Sequence, residues 1–280
     1  MTSPESSQAA TGGPDAAASL RTRIDLELWI FLCLIVLANT VFVSAIKYAG
    51  VPWWLFSSGR FYVLGGILVS VVFLFRGKQA VLDLGRPILK VKVNPLWYLF
   101  ALSWGPLMCT IALAIKSAYL GQNAILPSLT DITNKGVFRS VFVAAFVGEI
   151  VWVGYAISRM MGRRTPFEAA LIVGCFWTAW WVPIVWLGQG VIPGLPLGPL
   201  FINMLGVAGM CSFVYCRTKS GFVVLVLQLT FNSSLLIFPV VPTTGGEATY
   251  TLFSFVYALA SLGMFLVFGP KPLFSKKASA

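Results

Sequence analysis

Histidine is absent from the 280 residues, and charge of either sign is scarce: Asp, Glu, Lys and Arg together make up 10% of the chain. Without imidazole, the side chain that most often serves as a base or metal ligand near neutral pH is missing. A zinc site built on histidine is excluded, and the nine carboxylates form no alternative ligand cluster in the sequence, so neither a metal nor another cofactor is expected. The five cysteines make no CxxC or other ligand spacing and read as small apolar residues within apolar stretches. No stretch alternates apolar and polar residues over about ten positions, which excludes a membrane β-barrel. The opening MTSPESSQAATGGPDAAASL lacks the basic and apolar regions of a cleavable leader, and the closing SKKASA lacks the cysteine of a CaaX lipidation signal.

What the chain does have is apolar sequence. Hydrophobic residues make up 58% of it and the mean hydropathy is +0.86, more than a water-soluble domain of this length can bury. They come in blocks of roughly 17 to 22 residues, long enough as helices to cross about 30 Å of hydrocarbon. Eight spans are predicted: Leu28 to Tyr48, Phe61 to Phe75, Pro95 to Ile115, Phe138 to Ser158, Glu168 to Leu187, Pro199 to Cys216, Gly221 to Val241 and Tyr250 to Phe268. The fold class is therefore all-α, a polytopic membrane bundle of about eight transmembrane helices. Short connections rich in Gly, Pro and charge favour one bundle over residues 25–270, between a disordered cytoplasmic tail at 1–24 and a basic cytoplasmic tail at 271–280.

A net charge of +11 invites a nucleic-acid reading, but the placement of the cations points to a bilayer. With the N-terminus inside, fifteen of the twenty Lys and Arg fall on inside segments and only Lys47, Arg60, Lys116, Lys135 and Arg139 outside. Both termini are expected in the cytoplasm, in the plasma membrane, with lipid as a partner and nucleic acid excluded.

Polar groups at membrane depth are costly and persist mainly on the inside of a bundle. Of the nine carboxylates only Glu149 lies near the middle of a span. It reads either as hydrogen-bonding glue between helices or as a proton-handling group, and position alone does not divide the two. Gln228 and Asn232, four residues apart, share one face of the seventh span and are followed by Ser233 and Ser234. Trp180, Trp181 and Pro183 lie in the fifth, where the proline permits a kink and the tryptophans read first as packing.

The order of these stretches resembles the CPBP intramembrane proteases, which include CAAX prenyl protease 2 and bacterial relatives linked to bacteriocin processing and self-immunity. Family members carry a Glu-Glu pair, three residues, then Arg-Gly; here the stretch is GEIVWVGYAISRM, Gly148 to Met160. Their second motif, a His before an apolar residue and Pro, matches AWWVP, Ala179 to Pro183. Their third, a His, three residues and Asn, matches QLTFNSS, Gln228 to Ser234. The resemblance spans roughly 138–241.

It implies an intramembrane metalloprotease homologue whose reactive positions have changed. Gly148 stands where the first, water-activating Glu would be, Val153 replaces the Arg, and Trp181 and Gln228 replace the two His. Glu149 and Asn232 remain. The degenerate catalytic set is thus Glu149, Asn232 and Gln228, with Gly148 and Trp181 expected to line its cavity. Peptide hydrolysis needs a base, a proton donor for the leaving amine and oxyanion donors. Amides supply only the last of these. Glu149 is also offset by about 100° from Gly148 on a helix. The expected function is a proteolytically inactive homologue that binds or protects a membrane-associated or prenylated peptide. The alternatives are a proton-coupled small-molecule transporter using Glu149 and a residual endopeptidase working through the same residue.

Overall fold

The structure is a computed structural model of the chain and describes residues 14–50, 53–120, 135–189 and 192–270. Among these residues every regular element is helical: α1 (Pro14–Ala49), α2 (Trp53–Arg76), α3 (Lys78–Asp83), α4 (Arg86–Leu89), α5 (Leu96–Leu120), α6 (Lys135–Gly148), a π-helix (Glu149–Ile157), α7 (Ser158–Met160), α8 (Pro166–Trp186), α9 (Leu197–Thr218), α10 (Gly221–Ile237), α11 (Pro242–Gly245) and α12 (Glu247–Phe268).

Eight stretches are long and apolar enough to cross a membrane: Leu26–Ala49, Ser58–Arg76, Leu96–Tyr119, Gly136–Met160, Pro166–Trp186, Leu197–Thr218, Gly221–Gly245 and Glu247–Phe268. Each of the eight predicted spans falls on one of them, and the protein is a multi-pass integral membrane protein. The second, read from sequence as short, extends back to Ser58. α1 begins at Pro14, so the helix runs into the stretch that composition reads as tail. Pro14 opens it and the Ala, Leu and Arg that follow favour helix. Residues 1–13 and 271–280, the rest of the two predicted tails, lie outside the described residues.

Side chains facing outward from the bundle, such as Leu37, Leu74, Leu99, Leu259 and Val267, are large, apolar and exposed, and lipid covers them. Inside, α9 is the most buried of the eight spans. It packs against α8 on one side and α12 on the other. Small residues set this spacing: a Cβ on Gly206 would lie 2.9 Å from the Ala258 Cα of α12, and one on Gly174 of α8 would lie 3.2 Å from the Leu205 Cα of α9. Polar side chains close several helix ends. At the start of α8, the Thr165 hydroxyl accepts from the Glu168 amide at 3.2 Å while the Thr165 amide donates to the Glu168 carboxylate at 3.0 Å.

The sequence reads Arg76 to Asn94 as a plain connection, but the structure folds part of it into α3 and α4. α4 packs against the start of α10 and the π-helix. Lys90 fixes this segment, its ammonium donating to the Thr218 carbonyl at 2.9 Å while its own carbonyl accepts from the Ser220 hydroxyl at 2.5 Å.

Candidate functional site

The fourth span holds one continuous helix with two registers, α up to Gly148 and π from Glu149 to Ile157. Short π segments concentrate at functional sites. In the wider turn Glu149 lies over Gly154: a Cβ there would meet the Glu149 carboxylate oxygens at 3.6 and 3.7 Å. The missing side chain at Gly154 leaves room for Glu149 to fold back along its own helix.

This placement separates Glu149 from its neighbour. A Cβ on Gly148 would lie 3.1 Å from Gln228 Oε1, whereas Glu149 Oε1 lies 2.5 Å from the Cβ position of Gly221, the first residue of α10. Glu149 is fully buried, and neither of its carboxylate oxygens has a hydrogen-bond partner among the described residues. α4 closes this side, with the Ile88 amide nitrogen 3.1 Å from the same Gly221 Cβ position.

Beside Gly148 lies an inner cavity of about 50 Å³. Gly148, Trp181, Gln228 and Asn232 all line it, together with Trp152, Trp177, Trp180 and Phe61. The structure therefore brings together four of the five site residues read from sequence, drawn from three separate spans; Glu149 lines neither this cavity nor the one beside it. Gln228 is 4% exposed, and its Nε2 has no hydrogen-bond partner among the described residues.

Tryptophans build the walls. Trp152 stacks on Trp177 with centroids 5.2 Å apart, and Trp180 meets Trp152 and Trp181 edge-on at 6.2 and 5.8 Å. Pro183 removes the amide that would bond the Ala179 carbonyl in the same turn, and the adjoining Trp180 carbonyl accepts from the Asn39 amide of α1 at 2.6 Å. That bond ties the turn before Pro183 to the first span.

A second cavity of about 90 Å³ adjoins the first and shares Phe61, Ala144, Trp181 and Asn232 with it. Arg60 lines it, 3% exposed, with its guanidinium carbon 4.8 Å from the Trp181 ring centroid, 4.9 Å from Phe61 and 5.4 Å from Trp180. Sequence reading counted Arg60 only as an outside cation. Its signal was an Arg immediately before the apolar span Phe61 to Phe75, but the rings that cover it come largely from the fifth span.

The inner cavity presents two amides, a glycine and an indole at the four positions matched to the motifs. It offers no imidazole, thiolate or carboxylate there, so these residues do not fit a catalytic metal. No group of three or more Cys, Asp or Glu among the described residues is placed to hold one elsewhere.

Motif positions from three spans of a polytopic helix bundle thus converge on one cavity. Residues 134–234 match the family model described as Type II CAAX prenyl endopeptidase Rce1-like, which supports kinship of this stretch with the CAAX-type, or CPBP, membrane endopeptidases. No curated protein matches the chain.

Proposed function

We propose that the protein is a proteolytically inactive member of this family that holds a membrane-associated peptide by its backbone in the inner cavity. The observation that carries the reading is Gln228, an almost fully buried amide that lines the cavity and whose Nε2 has no hydrogen-bond partner among the described residues. Leaving such a donor unsatisfied costs about 1 to 3 kcal/mol. A primary amide offers one donor edge and one acceptor edge, the complement of a peptide group. Asn232, one turn along the same helix and in the same cavity, doubles that capacity. The surrounding tryptophans exclude water, which strengthens each such bond.

Hydrolysis has no support at this cavity. A base that activates water and an acid that protonates the leaving amine must titrate in a useful range, and Gly148, Trp181, Gln228 and Asn232 do not. The surviving carboxylate, Glu149, lies against Gly221 and Gly154 and does not line this cavity. The distribution of Lys and Arg supports an orientation with both termini cytoplasmic.

Saturable binding of membrane-anchored peptides, prenylated and unprenylated, to the full chain in nanodiscs tests the reading through quenching of its tryptophan fluorescence. Gln228→Leu is expected to weaken binding about tenfold, the equivalent of about 1.4 kcal/mol, and Glu149→Gln to leave it unchanged. Equal affinity of Gln228→Leu and wild type, or no saturable binding, would sink the peptide reading. One observation favours the transporter alternative, the unpartnered Glu149 carboxylate at membrane depth. Substrate uptake that collapses in Glu149→Gln would move the function there.

A further inference from the structure

The second span ends at Arg76 and the third begins at Leu96, so residues 77–95 turn back at one face of the membrane. α3 and α4 lie in this stretch and present two different sides. Toward the bundle, Ala80, Val81, Leu84 and Val93 pack on the core, and α4 rests against the start of α10 and the π-helix. Lys90 locks that side through its bonds to Thr218 and Ser220.

The other side carries large apolar groups that the protein leaves uncovered: Leu82 is 61% exposed, Leu89 77% and Val91 48%, although none of them lies in a span. Single exposed apolar residues are ordinary, but these alternate with exposed Lys78, Arg86 and Lys92. Lys78 and Leu82 are four apart in α3, and Arg86 and Leu89 three apart in α4, so each cation shares a helix face with an exposed leucine. Asp83 is the one acid of the stretch. Its contact with Arg86 Nε at 3.0 Å is solvent-exposed and leaves the segment positive. Exposed Phe73, Leu74 and Phe75 before it and Leu96 and Leu99 after it continue the apolar surface into the lipid-facing sides of both spans.

We propose that the α3–α4 segment docks on an anionic bilayer surface, with Leu82, Leu89 and Val91 entering the boundary between headgroups and acyl chains and Lys78, Arg86 and Lys92 set against the headgroup phosphates. Leucines beside lysines and arginines are the chemistry of an element lying in the membrane interface, and juxtamembrane cations select acidic lipid. The occupant is thereby the leaflet in which the flanking spans are already seated. The inner side of the same segment closes over Glu149, since the Ile88 amide and the Glu149 carboxylate both abut the Gly221 Cβ position. The docking surface stands on these residues and does not depend on the peptide reading.

Electron paramagnetic resonance of a spin label on Leu89→Cys tests the assignment, in the full chain carrying Cys33→Ala, Cys175→Ala and Cys216→Ala and reconstituted in nanodiscs. A label on Leu259→Cys, exposed in the last span, is the hydrocarbon reference. In equimolar phosphatidylglycerol and phosphatidylcholine, the label at 89 is expected to collide with oxygen and to be shielded from a water-soluble nickel chelate. Nickel accessibility is expected to rise about threefold in phosphatidylcholine alone, and as much in the mixed lipid when Lys78→Gln and Lys92→Gln are combined, while the reference stays constant. Free access of nickel in the mixed lipid would overturn the proposal, as would shielding that ignores both lipid charge and the lysines. Shielding from oxygen and nickel alike, which marks a protein cover such as a second copy, would overturn it too, and so would an equal change at the reference, which marks loss of the bundle.

Discussion

Replacing Glu27 by alanine is expected to cost about 3 to 5 kcal/mol of stability, the range for breaking a buried ion pair from one side. Glu27 of α1 is 2% exposed. Its Oε2 lies 2.5 Å from Arg76 Nε at the end of α2, and its Oε1 accepts from the Tyr155 hydroxyl of the π-helix at 2.9 Å. One carboxylate thus ties three elements at a single membrane edge. Phe31, one turn along α1, packs edge-on against the same Tyr155 ring at 5.0 Å, so the polar clasp and the packing hold the same pair of helices. Alanine at 27 leaves a largely buried guanidinium and a buried hydroxyl with their shared acceptor gone. A double-mutant cycle with Arg76→Ala, read from thermal or SDS-induced unfolding in detergent, is expected to be strongly non-additive. A loss below about 1 kcal/mol in Glu27→Ala would contradict the clasp.

Gly206→Leu is expected to break the contact between α9 and α12. A Cβ at this position lies 2.9 Å from the Ala258 Cα, 3.0 Å from its amide nitrogen and 3.0 Å from the Tyr257 ring, and two of those atoms are backbone that cannot rotate away. A Cβ on Gly209, one turn on, would lie 2.5 Å from the Ser261 hydroxyl oxygen. The α9–α12 contact is therefore a close crossing set by small residues, and in lipid such packing replaces the hydrophobic force that would hold helices together in water. Overpacking a well-filled interior costs about 1 to 3 kcal/mol where neighbours can yield. Here the helices must separate, so the folded yield after detergent extraction is expected to fall at least tenfold. Gly263→Leu is the control, because a Cβ there meets nothing within 4 Å. Equal yields of the two variants would show that α9 and α12 do not meet at Gly206.

The eight spans were legible because the length of an apolar run is a property of local sequence, and it maps directly onto bilayer thickness. The three motif stretches were legible for a related reason, since their order and spacing survive substitution. Gly148, Trp181, Gln228 and Asn232, which lie as many as 84 positions apart, meet on one cavity. What the sequence could not carry depends on register and on distant neighbours. The π-helix is a change in hydrogen-bond partner by one residue, and no apolar period announces it. Glu149 and Gly148 are adjacent in sequence, yet that register and the empty positions at Gly154 and Gly221 send the carboxylate away from the cavity. α3 and α4 are too short for a periodic pattern. The Glu27–Arg76 pair joins residues 49 apart, and each alone looks like an ordinary charge at the end of an apolar run. Arg60 likewise acquires its meaning only when Trp180 and Trp181 arrive from another span.

The most direct test is a cleavage assay of the purified protein in detergent against a panel of membrane-anchored and prenylated peptides, run beside Glu149→Gln and Asn232→Ala. No cleavage above background is expected from wild type or either variant, together with peptide binding that Asn232→Ala weakens and Glu149→Gln does not. Specific cleavage by wild type that disappears in Glu149→Gln would contradict the inactive reading, because it would mean that a site without histidine still activates water through the carboxylate placed against Gly221.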